Sequence, residues 1–391
     1  MNQAYLNRIK PLLEEMVSIG YVSGVNCMIL KDGAPILYEE AGVADLDTLK
    51  PIKRDSIFRL YSMSKPITSA AVMKLLEQGK LDLLDSVERY LPGFKGAHIV
   101  EGGVSRPAAA PVTIRTLLNM TSGVSYPGCG NPSEVAAENY MQEIIRKMDT
   151  PEALSTVEIA NRFGTFPLAF EPGSHFRYGF SADILGAVVE VISGMRFRDF
   201  LKENLLDPLE MKDTDFYVPE EKQPRLTSVY QATDEGLKKY TFANLGVSNH
   251  MKTPPAFESG GAGLVSTIDD YSHFCQMLLD MGTYKGHTIL SPATVRFMTG
   301  GSLLPHQQAD MASWDGLPGF SYANLLRTMK DPSKAVSLAS PGEYGWDGWL
   351  GAYMANDPAN NLAMLMMYQR TDAGTTEYTR RFRNLVFSSL D

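Results

Sequence analysis

The sequence predicts an α/β fold in which strands from both ends of the chain form one body and a helical region is inserted between them. Two observations support this class. Apolar runs at 25–30 and 36–41 lie on either side of a Lys-Asp-Gly turn, the pattern of an antiparallel hairpin. Near the other end, apolar runs at 350–356 and 362–368 flank an Asp-Pro turn, whereas much of the chain between the two pairs has helical periodicity.

The first helices follow from spacing. Residues 1–20 place Leu6, Ile9 and Leu13 at helical spacing with charged residues between them, which predicts an amphipathic surface helix. A helix predicted over 65–79 ends at Gly79, because glycine is favoured just after a last helical turn. Further helical patterns occur at 134–147, 156–162, 182–193, 268–281, 292–299 and 375–390.

Three stretches lack a clear period. Residues 93–111 are rich in Gly, Ala and Pro and are predicted to form a long surface loop. Residues 213–259 are mixed and polar, and residues 301–341 are interpreted as irregular. The sequence contains no internal repeat, so a solenoid or a propeller is not expected.

Composition excludes several classes of protein. The chain has 391 residues, of which 44% are hydrophobic and 21% charged, so it can bury a substantial core and is not disordered. Its length favours two domains, or one large α/β body with a helical lobe. The formal net charge of −9 argues against a nucleic-acid partner, because phosphate binding requires a basic face.

The first residues and the cysteines predict the cellular setting. Residues 1–20 lack the basic start and continuous apolar run of a signal peptide, and no stretch resembles a membrane span. The three cysteines (Cys27, Cys129 and Cys275) are scattered and have no Cys-x-x-Cys spacing, so neither a disulfide framework nor a zinc site is expected. We therefore expect a soluble, cytoplasmic protein without a membrane partner.

One motif in the sequence carries chemistry. Ser62 and Lys65 form a Ser-x-x-Lys arrangement at the start of a predicted helix, where residues i and i+3 can touch. A neighbouring base activates a serine hydroxyl as a nucleophile, and the helix N-terminus favours developing negative charge. On the motif alone, a plain helix start with Ser62 or Ser64 as N-cap and a solvated Lys65 is the better interpretation. Signatures of nucleotide binding, metalloproteases and Gly-x-Ser-x-Gly hydrolases are missing.

Ordered blocks around and after this motif reverse that interpretation. The chain resembles the serine β-lactamase/penicillin-binding-protein superfamily, most of all the class C β-lactamase-like family VIII carboxylesterases. The blocks that carry the resemblance are 55–68, 112–123, 172–186, 260–271 and 290–292, within a similarity that extends over about 20–390. Five blocks in the same order are far more specific than any one of them.

The resemblance implies roles for individual residues. Ser62 matches the nucleophile of the family, Lys65 its neighbouring lysine and Tyr178 the tyrosine of the second motif. Either Lys65 or Tyr178 could be the general base, and a packed aromatic is the alternative for Tyr178. In the third motif, Gly348 fits a close backbone approach, and the Trp349 N–H is expected to form the oxyanion hole with the Ser62 N–H.

Two departures from β-lactamases bear on the substrate. Phe180 stands where β-lactamases carry an asparagine amide that hydrogen-bonds an acylamino group. Trp346 stands where they carry a lysine that meets a substrate carboxylate. Both changes favour a neutral, apolar acyl group, so Phe180, Trp346 and Trp349 are expected to contact the substrate. For the two tryptophans, plain packing in an edge strand is the alternative.

The resemblance implies a β-lactamase/transpeptidase-like fold and a function. We expect an antiparallel sheet flanked by helices, with a discontinuous α/β domain of residues 1–69 and 241–391 and a mainly helical domain of 70–240 inserted. The expected function is a carboxylesterase that cleaves small neutral esters through an acyl-enzyme on Ser62, without cofactor or metal. An acyltransferase with the same intermediate, a β-lactamase or D-amino-acid peptidase, and a non-catalytic scaffold of the same fold are the alternatives.

Overall fold

An antiparallel sheet forms the centre of the fold. The computed structural model describes residues 1–390, without the side chain of Ser313. From one edge to the other, the eight strands of the main sheet are β12 (Phe320–Ala323), β13 (Leu326–Met329), β14 (Tyr344–Asp347), β15 (Tyr353–Asp357), β16 (Leu362–Tyr368), β1 (Gly24–Lys31), β2 (Ala34–Asp45) and β3 (Lys50–Pro51). Every neighbouring pair in this sheet is antiparallel, as predicted.

Helices and short strand pairs surround the sheet. The helices are α1 (Gln3–Leu6), α2 (Ile9–Ser18), α3 (Lys65–Glu77), α4 (Ile114–Leu118), α5 (Pro132–Lys147), α6 (Thr156–Phe163), α7 (Ser181–Ser193), α8 (Phe197–Leu201), α9 (Ile268–Leu279), α10 (Pro292–Gly300), α11 (Pro305–Gln308) and α12 (Glu377–Ser388). The short pairs are β4 (Phe58–Arg59) with β9 (Val265–Ser266), β5 (His98–Glu101) with β6 (Val104–Pro107), β7 (Tyr230–Thr233) with β8 (Gly236–Lys239), and β10 (Thr283–Tyr284) with β11 (His287–Thr288).

The central strands are buried on both faces, because helices cover the sheet from both sides. Helices α2 and α12 pack on one face and α9 packs on the other. In β16, Met364 and Met366 belong to the core under α2 and α12, whereas Leu365 and Met367 belong to the larger core on the opposite face. Alternation of side chains along a strand therefore divides one apolar run between two cores.

Two stretches interpreted as loop or irregular structure contain strands. Residues 93–111 include the hairpin β5–β6, whose turn at Gly102 and Gly103 has positive φ at both positions. Residues 301–341 include β12 and β13 at the edge of the main sheet, joined through Asn324 and Leu325, which also have positive φ. The second turn is hard to recognise, because two positive φ angles are normally a signal of glycine.

The main sheet takes its strands from 24–51 and 320–368, and the helices α4 to α8 lie between these segments in the chain. This arrangement matches the prediction of a sheet built from both ends with helices inserted. The domain boundaries proposed at residues 69/70 and 240/241 remain a prediction. Within residues 1–390, no helix is both long and apolar enough to cross a membrane.

Candidate active site

The Ser62 turn joins the short pair β4–β9 to helix α3. Ser62 lies in a 3₁₀ turn, Tyr61–Ser64, and α3 begins at Lys65 directly after it, so the motif opens on a 3₁₀ turn and not on the first α-helical turn. Tyr61 has a φ of +46°, an unfavourable conformation for a residue with a side chain. Such strain is retained where surrounding contacts over-determine the backbone, as they do at functional turns.

Lys65 has no exposed surface, and its amine has three hydrogen-bond partners. Its Nζ lies 3.1 Å from Ser62 Oγ, 2.9 Å from the Tyr126 hydroxyl and 2.9 Å from the Gly261 carbonyl oxygen. Burial lowers the pKa of Lys65 to about 7, and the charges of Asp183 and Asp347 limit the decrease. A neutral amine needs only two acceptors, so its lone pair can take the proton of Ser62.

Tyr178 is held beside this pair by Trp346. The Trp346 indole Nε1 donates to the Tyr178 hydroxyl over 2.8 Å, and Lys65 Nζ lies 4.6 Å from the centroid of the Tyr178 ring. The Ser62 hydroxyl is also a hydrogen-bonding neighbour of the phenol. Burial raises the pKa of Tyr178 above its usual range, an effect that these two hydrogen bonds oppose. The phenol therefore remains protonated and is suited to donate a proton.

Tyr126 is a site residue that the sequence patterns do not reveal. Its hydroxyl accepts a hydrogen bond from Lys65 and neighbours the Ser62 hydroxyl, and burial raises the pKa of this phenol as well. Tyr126 follows the Thr-Ser-Gly block by three residues and lies outside the matched segment 112–123, so no motif points to it. Two tyrosines, Tyr126 and Tyr178, thus lie beside Ser62 with rings 5.6 Å apart.

Phe180 and Trp346 are both buried beside the two tyrosines. The Phe180 ring is 1% exposed, stacks on Phe163 at 4.4 Å and meets Tyr126 edge-on at 4.7 Å. It supports Tyr126 from behind. Trp346 is also 1% exposed, and its indole contacts the Tyr178 hydroxyl, so a direct substrate contact by either side chain remains a prediction. Their positions follow from burial, which local sequence does not report.

The third motif brings the end of β14 close to the Ser62 turn. A Cβ on Gly348 would lie 2.1 Å from the Leu60 carbonyl oxygen, so only glycine allows this approach. The Trp349 ring packs edge-on against Tyr61 at 5.0 Å. Within the described residues, the backbone N–H groups of Ser62 and Trp349 have no hydrogen-bond partner, which leaves both available for the predicted oxyanion hole.

Asp183 links the lysine to the segment that carries Gly261. Its buried carboxylate accepts hydrogen bonds from the Gly261 N–H over 3.1 Å and from the Ser259 hydroxyl. A Cβ at residue 261 would lie 2.5 Å from this carboxylate. Because the Gly261 carbonyl accepts from Lys65, Asp183 orients one of the three partners of the amine. Burial raises the pKa of Asp183, which the nearby Lys65 opposes.

A groove of about 880 Å³ opens next to Tyr178. Its wall is mixed, with apolar side chains such as Phe176 and Trp314 beside the charged side chains of Glu101, Glu171 and Arg177. Arg106 bridges the two glutamates by ion pairs, which reduces the net charge that the groove presents.

In the part of the chain that the structure describes, no group of three His, Cys, Asp or Glu side chains could hold a metal ion.

Comparison with known proteins agrees with this geometry. The sequence profile of the Beta-lactamase family matches residues 9–386. Protein Rv1367c of Mycobacterium tuberculosis is 30% identical over 368 residues, 91% of this chain and 88% of that protein. Esterase EstB of Burkholderia gladioli is 27% identical over 374 residues, 92% and 89% of the two chains. The structure of EstCE1, a hydrolase with promiscuous acyltransferase activity, has a TM-score of 0.81 and 26% identity, covering 98% of this chain and 99% of its own. The resemblance seen in the sequence is thereby confirmed, and the chain belongs to the Beta-lactamase family of serine hydrolases.

Proposed function

We propose that this protein is a carboxylesterase that transfers the acyl group of a small neutral ester to Ser62 and then to water. The observation that carries the proposal is the buried Lys65 amine, 3.1 Å from Ser62 Oγ, with its pKa lowered to about 7. A lysine of this kind is a usable base at neutral pH, whereas a solvated lysine is almost entirely protonated.

In the proposed acylation step, Lys65 takes the proton of Ser62 as Oγ attacks the ester carbonyl carbon. The Ser62 and Trp349 N–H groups receive the resulting oxyanion. When the intermediate collapses, the bond to the alcohol oxygen breaks and Tyr178 donates its proton to the departing alkoxide. The Lys65 ammonium, whose Nζ lies 4.6 Å from the centroid of the Tyr178 ring, is the stronger acid and returns a proton to this phenolate, so the acyl-enzyme holds a neutral lysine and a neutral tyrosine.

Deacylation uses the same base. A water molecule attacks the acyl-enzyme carbonyl and gives one proton to the neutral Lys65 amine. Collapse of the second tetrahedral intermediate breaks the bond to Ser62 Oγ, and the Lys65 ammonium protonates this oxygen. The free acid leaves, and all three side chains regain their starting protonation states. An alcohol in place of water gives acyl transfer by the same steps.

The surroundings of the nucleophile support a neutral substrate. Trp346 fills the place of the β-lactamase lysine, and the nearest guanidinium in the same sheet, that of Arg327, is 1% exposed and lies 4.0 Å from the Asp347 carboxylate. Neither residue presents a cation to a substrate carboxylate. With Phe180 buried behind Tyr126, the amide that would bind an acylamino side chain is missing as well.

Acyl transfer is the second candidate. It is supported by the similarity to EstCE1, described as a hydrolase with promiscuous acyltransferase activity, and by the large groove beside Tyr178. Cleavage of β-lactams or D-amino-acid peptides is less well supported, because both substrates carry a carboxylate. A non-catalytic scaffold is disfavoured, since Ser62, Lys65 and Tyr178 are all retained in one hydrogen-bonded group.

The test compares p-nitrophenyl esters of increasing acyl length with a chromogenic cephalosporin, using Ser62→Ala as the blank. We expect Ser62-dependent ester turnover and an intact-mass increase equal to one acyl group, mapped to Ser62. Rapid cephalosporin hydrolysis with inert esters would contradict the substrate class. Absence of both labelling and Ser62-dependent turnover would contradict catalysis. Added alcohols distinguish transfer from hydrolysis through new ester products.

A further inference from the structure

A row of aromatic side chains leads from the Ser62 turn to the protein surface. We call Tyr61, Trp349, Tyr240 and Phe242 the aromatic row. Successive ring centroids lie 5.0 Å, 5.6 Å and 5.5 Å apart, and each pair meets edge to face. Tyr61 is 1% exposed, whereas Phe242 at the outer end is 71% exposed. The row therefore connects the residue before the nucleophile to open solvent.

The inner part of the aromatic row is held in place by its neighbours. The Trp349 Nε1 donates to the Asp372 carboxylate over 3.0 Å, which fixes the indole plane. The Tyr240 N–H donates to the Val229 carbonyl over 2.8 Å, and the Tyr240 carbonyl accepts from the Asn249 side chain over 3.2 Å. A surface on rigid supports needs little ordering when a ligand binds.

The two sides of the nucleophile differ in the group that they can accept. The departing alkoxide must lie beside its proton donor, Tyr178, which lines the 880 Å³ groove together with charged side chains such as Glu171 and Arg177. Trp349 bears the other predicted oxyanion donor, and its ring packs on Tyr61 rather than on the Tyr178 side. The acyl chain bonded to the carbonyl carbon therefore extends toward the aromatic row when the alcohol faces the groove.

We propose that the aromatic row binds the acyl group of the ester, so that Tyr240 and Phe242 set a preference for medium-length aliphatic or aromatic acids. The inference rests on the proposed esterase function and adds the orientation and the class of both halves of the substrate. An apolar acyl group covers the exposed ring surface in the outer part of the row, while the charged side chains of the groove suit a hydroxylated alcohol.

The experiment measures kcat/KM for p-nitrophenyl acetate and p-nitrophenyl hexanoate in the wild-type protein, Phe242→Ala and Tyr240→Ala. We expect the hexanoate-to-acetate ratio to fall by about 10-fold in each variant, within the range that small changes in an apolar pocket produce. The matched control is Phe297→Ala, which removes a 44% exposed phenyl ring from helix α10, and its ratio should stay at the wild-type value. Thermal unfolding midpoints establish that each variant is folded.

A second series keeps the hexanoyl group and varies the alcohol through methyl, butyl and glyceryl esters, with acid release followed by pH-stat. Wild-type and Phe242→Ala proteins should rank these alcohols in the same order. An unchanged acyl ratio in both row variants, or a changed alcohol ranking with an unchanged acyl ratio, would overturn the inference while leaving Ser62-dependent hydrolysis intact. Loss of turnover on every ester in the wild-type protein would instead overturn the proposed function and, with it, this assignment.

Discussion

The protonation state of Lys65 is central to the proposed reaction. Its amine is removed from water, surrounded by one carbonyl and two hydroxyl groups, and lies near two carboxylates. Desolvation disfavours the Lys65 ammonium and lowers its pKa, whereas the negative charges of Asp183 and Asp347 favour the ammonium and raise that pKa. The balance places proton exchange near neutrality, where a base that must both accept and return a proton works best.

The lowered pKa of Lys65 predicts the pH dependence of acylation. Because the neutral amine is the base, kcat/KM for an ester should rise with pH up to about 7 and level off above it. Asp347→Asn removes an anion that favours the ammonium, so the pKa of Lys65 should fall and the rising limb should move to lower pH. Initial rates of ester hydrolysis from pH 5 to 9 measure the rising limb in the wild-type protein and in Asp347→Asn. A limb that stays in place in Asp347→Asn would contradict this electrostatic coupling.

The two tyrosines should differ in their contribution to rate. Tyr178→Phe removes the proposed proton donor, and we expect kcat/KM to fall by about 10²–10⁴-fold, the usual effect of one general acid or base. Tyr126→Phe removes one partner of the Lys65 amine, worth roughly 0.5–1.5 kcal/mol, so a decrease of about 2- to 10-fold is expected. Steady-state kinetics on one ester compare them. Equal losses in both variants would mean that Tyr126 also handles a proton.

At the scale of elements, the site depends on how closely two segments approach. Strand β14 ends at Asp347, and the following glycine touches the backbone that carries the Ser62 turn. The turn after it is tight, since the Gly348 N–H donates to the Ala352 carbonyl over 2.7 Å. This junction sets the separation of the two candidate oxyanion donors, which belong to segments far apart in the chain.

Gly348→Ala tests that junction. The new Cβ would lie 2.1 Å from the Leu60 carbonyl oxygen, so backbone must move and the Trp349 N–H should shift from the oxyanion position. We expect a loss of about 10²-fold or more in kcat, the usual effect of removing one oxyanion donor. Gly300→Ala is the matched control, because a Cβ there meets nothing within 4 Å. Wild-type kcat in Gly348→Ala would contradict the close approach.

Elements differ in how well local patterns predict them. The helices α3 and α7 agree with their predicted ranges within a few residues. The edge strand β12 and its neighbour β13 were not predicted, because they are four residues each and join through a turn without glycine. Short edge strands are stabilised by pairing with a neighbour from elsewhere in the chain, and this pairing leaves little trace in local sequence.

At the scale of the whole molecule, an ion pair fastens the C-terminal helix α12 to the sheet. Arg383 and Glu343 are 1% and 0% exposed, and the guanidinium also donates to the Tyr353 hydroxyl over 2.5 Å and to the Leu338 carbonyl over 3.0 Å. Glu343 immediately precedes β14, so the pair connects the end of the chain to the strand of the third motif.

Removing one partner of this pair should destabilise the whole fold. Arg383→Ala leaves the Glu343 carboxylate buried without its cation, and we expect the free energy of unfolding to fall by about 3–5 kcal/mol. Arg381→Ala on the same helix is the control. Its pair with Glu15 is 40% exposed on the arginine side, so a change below about 1 kcal/mol is expected. Urea denaturation measures both, and equal changes would contradict the role of burial.

The sequence by itself determined the fold class and predicted Ser62 as nucleophile with Lys65 beside it and Tyr178 in the second motif, because strand and helix periods and ordered blocks are local properties of the chain. Only the tertiary structure decided that Tyr126 joins the site, that Phe180 and Trp346 support it from behind, and that Tyr240 and Phe242 continue the surface from Trp349. Burial, desolvation and ring contacts depend on residues that are distant in the chain, such as Trp346 and Tyr178, which are 168 positions apart. Such neighbours exist only once the chain has folded, and they set both the pKa of Lys65 and the shape of the proposed acyl-binding surface.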